Sequence, residues 1–132
     1  MKNSINDLEI YREAMRLGEV VWDHVAGWDY FARDTIGKQF VRSADSIAAN
    51  LSEGYGRHFF KESIHFYHYS RGSAEETQTW IEKAANRGLI DKSTARTLYR
   101  DLNTYKKRLN AYIRTIGKSA PIASPPDNKS TS

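Results

Sequence analysis

Residues 95–116 read ARTLYRDLNTYKKRLNAYIRTI, and this stretch decides the fold class. Its apolar side chains recur at alternating spacings of three and four residues: Ala95, Leu98, Leu102, Tyr105, Leu109, Tyr112 and Ile116. Residues so spaced share one side of a helix, so the pattern predicts a long amphipathic helix in an antiparallel bundle. Asp91 is the expected N-cap of this helix, which we number four.

Two further helices are expected in the first half of the chain. Helix one would begin at Asn6, with Glu9 completing a capping box. Its expected buried face follows the three-four spacing at Leu8, Tyr11, Met15, Gly18, Trp22 and Val25. Helix two would bury Ile36, Phe40, Ala44, Ile47 and Leu51. It would end at Gly54 to Gly56, where glycine tolerates a left-handed cap.

Helix three is expected from about residue 60 to 87, with a stop at Gly88. One face carries Phe66, Ser73, Thr77, Trp80 and Ala84, and beside it lie Ile64, Tyr67, Ala74 and Ile81. Gly72 and Ser73 are small enough to admit a neighbouring backbone. The helix is also rich in aromatic residues: Phe59, Phe60, Phe66, Tyr67, Tyr69 and Trp80. So many rings exceed one thin core, and we expect the surplus apolar face to be buried in an oligomer. A wide core stripe with exposed tyrosines is the alternative.

The chain of 132 residues fits a single domain, which we place at residues 1–118. No alternating apolar run indicates a strand, so the expected fold is all-α, an up-down-up-down antiparallel four-helix bundle. Residues 119–132 carry all three prolines and no periodicity, and we expect a disordered C-terminal tail. No segment resembles a signal peptide or a membrane span, which predicts a cytoplasmic protein without membrane contact.

No catalytic or cofactor-binding constellation is evident in the sequence. The chain has no cysteine, and it lacks the phosphate-loop, dinucleotide and nucleophile-elbow motifs. His58, Glu62 and His65 fall on one helix face, where they could bind a metal ion. A di-iron bundle needs carboxylate-histidine pairs on two helices, and no second pair is found on another helix. We interpret them as solvated or interface side chains. A non-enzymatic protein without metal or cofactor is expected, and a metal-dependent bundle enzyme is the least favoured hypothesis.

A polar stripe runs along helix two beside its apolar face. It consists of Gln39, Arg42, Ser46, Asn50, Glu53 and Arg57, at spacings of three and four residues. A merely solvated face is usually rich in Lys and Glu, whereas amides and hydroxyls pair well inside interfaces. The stripe therefore indicates a hydrogen-bonded seam between helices or subunits, and a binding groove is the alternative.

Helix four is strongly basic. Residues 91–118 contain eight Lys and Arg against two Asp, a charge of +6, although the whole chain carries only +4. Arg100, Lys107 and Arg114 recur at intervals of seven, opposite the apolar face, and Arg96 and Lys106 extend the cluster. Cations interleaved with hydrogen-bonding residues suit phosphate backbones, so these five are the candidate nucleic-acid-binding residues. An ordinary solvated helix surface is the alternative.

The stretch IGKQFVRSADSIAANLSEGYGR, followed by RGSAEETQTW and AANRGLI, resembles the four-helix-bundle proteins first noted as reading frames inside intervening sequences of bacterial 23S rRNA genes. The opening DLEIYREAMRL resembles the family's first helix. Ala48 stands where the family often has proline, and Thr77 where leucine is usual. The matching positions are Gln39, Arg42, Ser46, Ile47, Asn50, Glu53, Gly54, Gly56, Arg57, Gly72, Ser73, Glu76, Thr79 and Gly88.

The resemblance implies a left-handed bundle that assembles into a cyclic homo-oligomer, commonly a pentamer, and it implies no catalysed reaction. A related bundle, the accessory variability protein of diversity-generating retroelements, is a basic pentamer that binds nucleic acid and a reverse transcriptase. By this fold-level analogy, RNA or DNA and a reverse transcriptase are the expected partners. The competing expectation is a structural or protein-interaction oligomer with no nucleic-acid role.

Overall fold

The computed structural model describes residues 4–119, and every long element in that range is a helix. The four helices are α1 (Glu9–Ala26), α2 (Lys38–Tyr55), α3 (Phe60–Asn86) and α4 (Lys92–Ser119). The all-α fold with four helices is thereby confirmed. The tail expected at residues 119–132 lies outside the described residues, apart from Ser119 at the end of α4.

The helices pack antiparallel, each against its two neighbours in the bundle. Helix α2 lies between α1 and α3, and α4 lies against α3 and α1. The start of α3 meets the end of α4, where the Phe60 ring is 3.3 Å from the position of a Cβ on Gly117. Farther along, the Thr77 hydroxyl oxygen of α3 lies 2.9 Å from Ser43 Oγ of α2, within hydrogen-bond distance. This is the expected up-down-up-down arrangement.

The buried faces of α2 and α4 agree with the periodicity. All five apolar residues expected on the α2 face are buried, and so are the first five of α4. The last two of α4, Tyr112 and Ile116, are half-buried against the same core. In α3 both expected series contribute to the core. Thr77 and Ala84 of the expected face are buried, whereas Phe66, Ser73 and Trp80 are half-buried. Of the series beside it, Tyr67, Ala74 and Ile81 are buried and Ile64 is half-buried.

The expected face of α1 is wrong at two of its six positions. Met15 is 45% exposed and Trp22 is 56% exposed, although Gly18 and Val25 of the same series are buried. The core receives in addition a second series, namely Ile10, Ala14, Leu17 and Val21. Helix α1 carries two apolar series offset by roughly one helical position, about 100° apart. Helix α1 packs against α2 and α4 through the smaller, aliphatic series. Met15 and Trp22 of the other series therefore face outward.

Local signals at the helix ends have mixed outcomes. Asn6 is not a cap, because it lies in a short 3-10 turn (Ile5–Asp7) in which Ser4 Oγ accepts from the Asn6 N–H. Asp91 does cap α4, since its Oδ1 accepts from the Thr94 N–H at 2.7 Å. The stop at Gly88 is confirmed by its φ of 75° and by the Leu89 N–H donating to the Ala84 carbonyl at 2.9 Å.

The link between α1 and α2 is itself helical. Asp29 Oδ1 accepts from the Ala32 N–H at 3.0 Å and caps a helical turn, Tyr30–Ala32. A π-helical turn, Arg33–Gly37, then continues directly into α2. Trp28 anchors this link, because it is buried and stacks on Phe40 with ring centroids 6.0 Å apart.

Within residues 4–119, no helix is both long enough and apolar enough to cross a lipid bilayer.

Candidate nucleic-acid interface

The basic residues of α4 lie on the side of the helix that faces away from the bundle. Arg100, Lys107 and Arg114 are exposed, and the spacing of seven keeps them within about 40° of one another around the helix axis. We call this surface the basic face. Its six exposed cations are Lys92, Arg96, Arg100, Lys107, Arg114 and Lys118.

The positive charge of the basic face is not neutralised within the bundle. Among the described residues, no carboxylate forms an ion pair with any of its six cations. The carboxylate of Asp101 points to the other side of α4, where it accepts from Arg16 of α1 at 3.0 Å. Arg16 also pairs with Glu13, and these hydrogen bonds raise the pKa of the guanidinium. The acidic residue of α4 thus stabilises the α1–α4 contact and leaves the basic face uncompensated.

Lys106, one of the five candidate nucleic-acid-binding residues predicted from the sequence, does not lie on the basic face. Its ammonium donates to Gln78 Oε1 of α3 at 2.8 Å, and it lies 4.0 Å from a carboxylate oxygen of Glu75. The Gln78 amide in turn donates to Asn103 Oδ1 at 2.9 Å. Lys106 is therefore part of a polar seam that ties α3 to α4.

A polar groove of about 310 Å³ runs beside the basic face, between α3 and α4. Lys107 belongs to both surfaces. The guanidinium of Arg71 donates to Asn110 Oδ1 at 2.5 Å, and it also contacts the His68 ring nitrogen Nδ1 at 2.8 Å. Burial lowers the pKa of His68, and the nearby Arg71 charge adds to that effect. Arg71 and Asn110 were missed at the sequence level, because each lies outside the heptad series of its helix.

The polar side chains of the α2 stripe find most of their hydrogen-bond and ion-pair partners within three or four residues of themselves along the chain. Ser46 Oγ donates to the Arg42 carbonyl at 2.8 Å, and the Asn50 amide donates to the Ser46 carbonyl at 2.9 Å. At the end of the helix Arg57 pairs with Glu53, four residues earlier. These bonds anchor the stripe on α2, and they leave it largely at the surface.

One end of the stripe does cross to α3. The guanidinium of Arg42 donates to Gln39 Oε1 of its own helix at 3.0 Å, and it forms an ion pair with Glu76 of α3. The indole of Trp80 donates to the same Glu76 carboxylate at 3.1 Å. Of the stripe residues, Arg42 therefore makes the interhelical contact, an ion pair with Glu76, whereas Gln39 bonds within α2.

Gly72 of α3 does not admit a neighbouring helix. A Cβ on Gly72 would meet no atom within 4 Å, and Gly72 is exposed. The Ser73 carbonyl accepts from the Thr77 hydroxyl of its own helix at 2.7 Å. The close approach lies instead at Gly54 of α2, where a Cβ would stand 2.6 Å from the Tyr67 ring. Gly54 was expected as a left-handed cap, but Gly88 alone among the described residues has a positive φ.

The core also contains hydrogen-bonded hydroxyl groups that the periodicity does not reveal. Ser70 Oγ donates to the Ile47 carbonyl at 2.8 Å and lies 2.7 Å from the Tyr105 hydroxyl. Burial raises the pKa of Tyr105 to about 12. These bonds connect α2, α3 and α4 at the centre of the bundle, where an unpaired hydroxyl would be costly.

The histidine cluster is dispersed in the structure. His58 packs edge-on against Phe59, and Glu62 and His65 line a surface groove together with Arg57, Phe66 and Tyr69. Among residues 4–119, no three His, Asp or Glu side chains converge as metal ligands.

Comparison with known proteins gives one family and one fold. The model of a family described as 23S rRNA-intervening sequence protein matches residues 6–111. A solved structure described as a protein with unknown function from the S23 ribosomal protein family of Bacteroides thetaiotaomicron VPI-5482 superposes with a TM-score of 0.71. It shares 19% sequence identity and covers 79% of this chain and 97% of its own. At that identity the likeness concerns the fold. Among curated proteins, none matches the chain.

Proposed function

Because the chain belongs to the family of 23S rRNA-intervening sequence proteins, we propose that it is a non-enzymatic, oligomeric accessory protein that binds RNA or DNA through α4. The observation that carries this proposal is the basic face, a row of exposed cations without ion-pair partners among the described residues. Surface cations with no local carboxylate are available to phosphates, which they bind with release of counterions.

The dimensions of the basic face suit a nucleic-acid backbone. Arg96 and Arg114 are eighteen residues apart, about 27 Å along a helix that rises 1.5 Å per residue. That length corresponds to roughly eight base pairs of a duplex. No side chain of the basic face is fixed in a bidentate geometry by a neighbour, so the surface favours backbone contacts over base reading.

Assembly would multiply this modest charge. A closed ring repeats the basic face of each copy by symmetry, so that +4 per chain becomes a broad positive band. A cyclic homo-oligomer, commonly a pentamer, and a reverse transcriptase as protein partner follow from the resemblance to the retroelement accessory bundle, which is fold-level analogy.

The alternative function is a protein-interaction oligomer that binds no nucleic acid. Exposed aromatic side chains favour it, since Trp22, Tyr30, Phe31 and Tyr69 all stand more than half exposed in the single chain. Such rings typically mark protein interfaces. They are compatible with both functions, because an oligomer is part of each.

The test is a titration of labelled RNA and DNA duplexes and single strands at several salt concentrations. We expect the triple variant Arg100→Gln, Lys107→Gln, Arg114→Gln to weaken binding to all sequences alike. The slope of log affinity against log salt should fall by about 0.7–0.9 for each removed phosphate contact. Folding should be unchanged, because these side chains are exposed and contribute nothing to the core.

A matched control removes three other exposed cations with the variant Arg12→Gln, Lys83→Gln, Arg108→Gln. None of these residues lies on the basic face, and the loss of net charge is the same. This control should keep most of the affinity and the salt slope. If both triple variants lose affinity equally, the nucleic acid responds to the net charge of the chain and not to the basic face. If the first variant binds as the unmodified chain does, α4 is not the interface and the protein-interaction alternative takes precedence.

A further inference from the structure

An apolar groove opens on the surface between α1 and α2. Its volume is about 450 Å³, within the range of pockets that bury a ligand. Trp22, Val25 and Ala26 of α1 form one wall, and Val41 of α2 forms the other. The two walls approach closely at Gly37, where a Cβ would stand 2.8 Å from Val25 Cγ1. The outward-facing Trp22 adds an indole ring to the apolar walls of this groove.

An apolar projection stands next to this groove in the chain. Tyr30 is 71% exposed and Phe31 is 76% exposed, the highest values among the large hydrophobic side chains of the described residues. The link that carries them is well held, since Asp29 caps it and Trp28 anchors it in the core. The rings are thus presented on a structured turn, and neither of them lines the groove of its own chain.

Charges beside the two features are complementary. Arg33 lies at the rim of the groove, where its guanidinium donates to the Trp28 carbonyl at 3.0 Å. Within residues 4–119 it has no carboxylate partner. Asp29 directly precedes the two exposed rings, and no cation among the described residues pairs with it. The other two cations at the rim, Lys38 and Arg42, are already paired with Asp34 and Glu76.

We propose that Tyr30 and Phe31 of one copy of this chain dock into the groove between Trp22 and Val41 of a second copy. Both halves of the contact are on one chain, each is apolar, and each carries one unneutralised charge of opposite sign. A second copy therefore covers both features at once, whereas an unrelated partner would cover one and leave the other in water. This inference rests on the oligomer of the proposed function and names its contact surface.

The absence of cysteine in the chain allows a direct test by disulfide formation. The single variants Phe31→Cys and Ala26→Cys are purified separately, one with a larger tag, and are mixed under mild oxidation. A disulfide forms only where Cα atoms come within about 7 Å, so the mixed disulfide should be the dominant product. In the control, Thr79→Cys on the exposed side of α3 replaces Phe31→Cys, and the mixed product should be minor. Equal yields in the two mixtures would overturn the proposal.

A second test measures the assembly itself by light scattering at micromolar concentration. Phe31→Glu should convert the oligomer to monomers with an unchanged helical circular dichroism spectrum, because this side chain makes no core contact. The matched control is Tyr69→Glu on α3, an aromatic that is 57% exposed, and this variant should remain assembled. Dissociation by the Tyr69 variant alone would place the interface on α3 and refute the groove as the contact.

The outcome can be separated from that of the nucleic-acid proposal. If the unmodified chain is a monomer that still binds RNA or DNA through the basic face, the docking contact is wrong and the nucleic-acid function stands. If the mixed disulfide forms but the triple variant of α4 binds as strongly as the unmodified chain, the contact stands and α4 as the nucleic-acid interface is wrong.

Discussion

Replacing two helical glycines by alanine should change stability in opposite directions. Gly54 lies in the last turn of α2 and is buried, whereas Gly72 lies in the middle of α3 and is exposed. Both positions match the family pattern, so sequence comparison alone gives them similar weight. Only the structure distinguishes them, through the space that a methyl group would meet.

The magnitudes follow from that space. A Cβ on Gly54 would lie 2.6 Å and 2.9 Å from two carbons of the Tyr67 ring and 3.0 Å from the Ser63 carbonyl oxygen. Tyr67 is buried and packs edge-on against Tyr112, so its ring cannot move without displacing α4. Overpacking of this kind costs about 1–3 kcal/mol, which outweighs a helix-propensity gain of up to about 1 kcal/mol. Gly54→Ala should therefore destabilise the bundle by about 1–2 kcal/mol.

Gly72→Ala serves as the matched control. A Cβ there would meet no atom within 4 Å, so only the propensity gain remains, and the variant should be more stable by about 0.5–1 kcal/mol.

The assay is urea unfolding followed by circular dichroism, with both variants and the unmodified chain at the same protein concentration. The concentration must be fixed because assembly would add to the apparent stability. A Gly54 variant that is as stable as the Gly72 variant would show that α2 and α3 are not in close contact at this point, and the reasoning would be refuted.

Three further substitutions test the core and its titrating groups. Leu102→Ala should cost about 2–5 kcal/mol through a cavity in the α4 face, and urea unfolding that shows less than about 1 kcal/mol would contradict the burial of Leu102. Tyr105→Phe removes the hydroxyl bonded to Ser70 and should cost about 1 kcal/mol at pH 7. Burial raises the pKa of Tyr105 to about 12, whereas a tyrosine in the unfolded chain ionises near pH 10. Between about pH 10 and 12 the unfolded chain therefore loses the proton first, and the folded state loses stability as the pH rises. The Phe variant should lose less stability across that range in alkaline melts. Burial, assisted by the charge of Glu19, raises the pKa of Asp45, so the ionised carboxylate opposes folding at neutral pH. Asp45→Asn should therefore stabilise the chain by less than about 1 kcal/mol at pH 7. Near pH 3, thermal melts should show no gain in stability.

Much of the fold could be predicted from local chemistry. The seven-residue series of α4, the α2 face and the caps at Asp91 and Gly88 depend on spacing or on a single backbone group, and the structure bears each of them out. The exposed cations of the basic face were also foreseeable, because residues seven apart on a helix opposite an apolar series must face outward. For these features the sequence carries the complete physical information.

Other features depended on which neighbour lies at which angle around a helix. The periodicity of α1 offers two apolar series, and only the positions of α2 and α4 decide that Leu17 is buried and Trp22 exposed. The position of α3 likewise decides the role of Lys106. Because Gln78 of α3 lies next to it, the ammonium of Lys106 donates to Gln78 and does not join the basic face.

The periodicity of a sequence determines the angle of a side chain about its own helix axis, and the buried faces of α2 and α4 follow from that angle alone. It does not determine the sector that a neighbouring helix occupies, because that depends on the fit of all four helices together. The sequence by itself therefore determined the four helices, the ends marked by Gly88 and Asp91, and the charge of α4. The close contact at Gly54 and the groove beside Trp22 depended on the tertiary structure, since each is formed by residues of two helices.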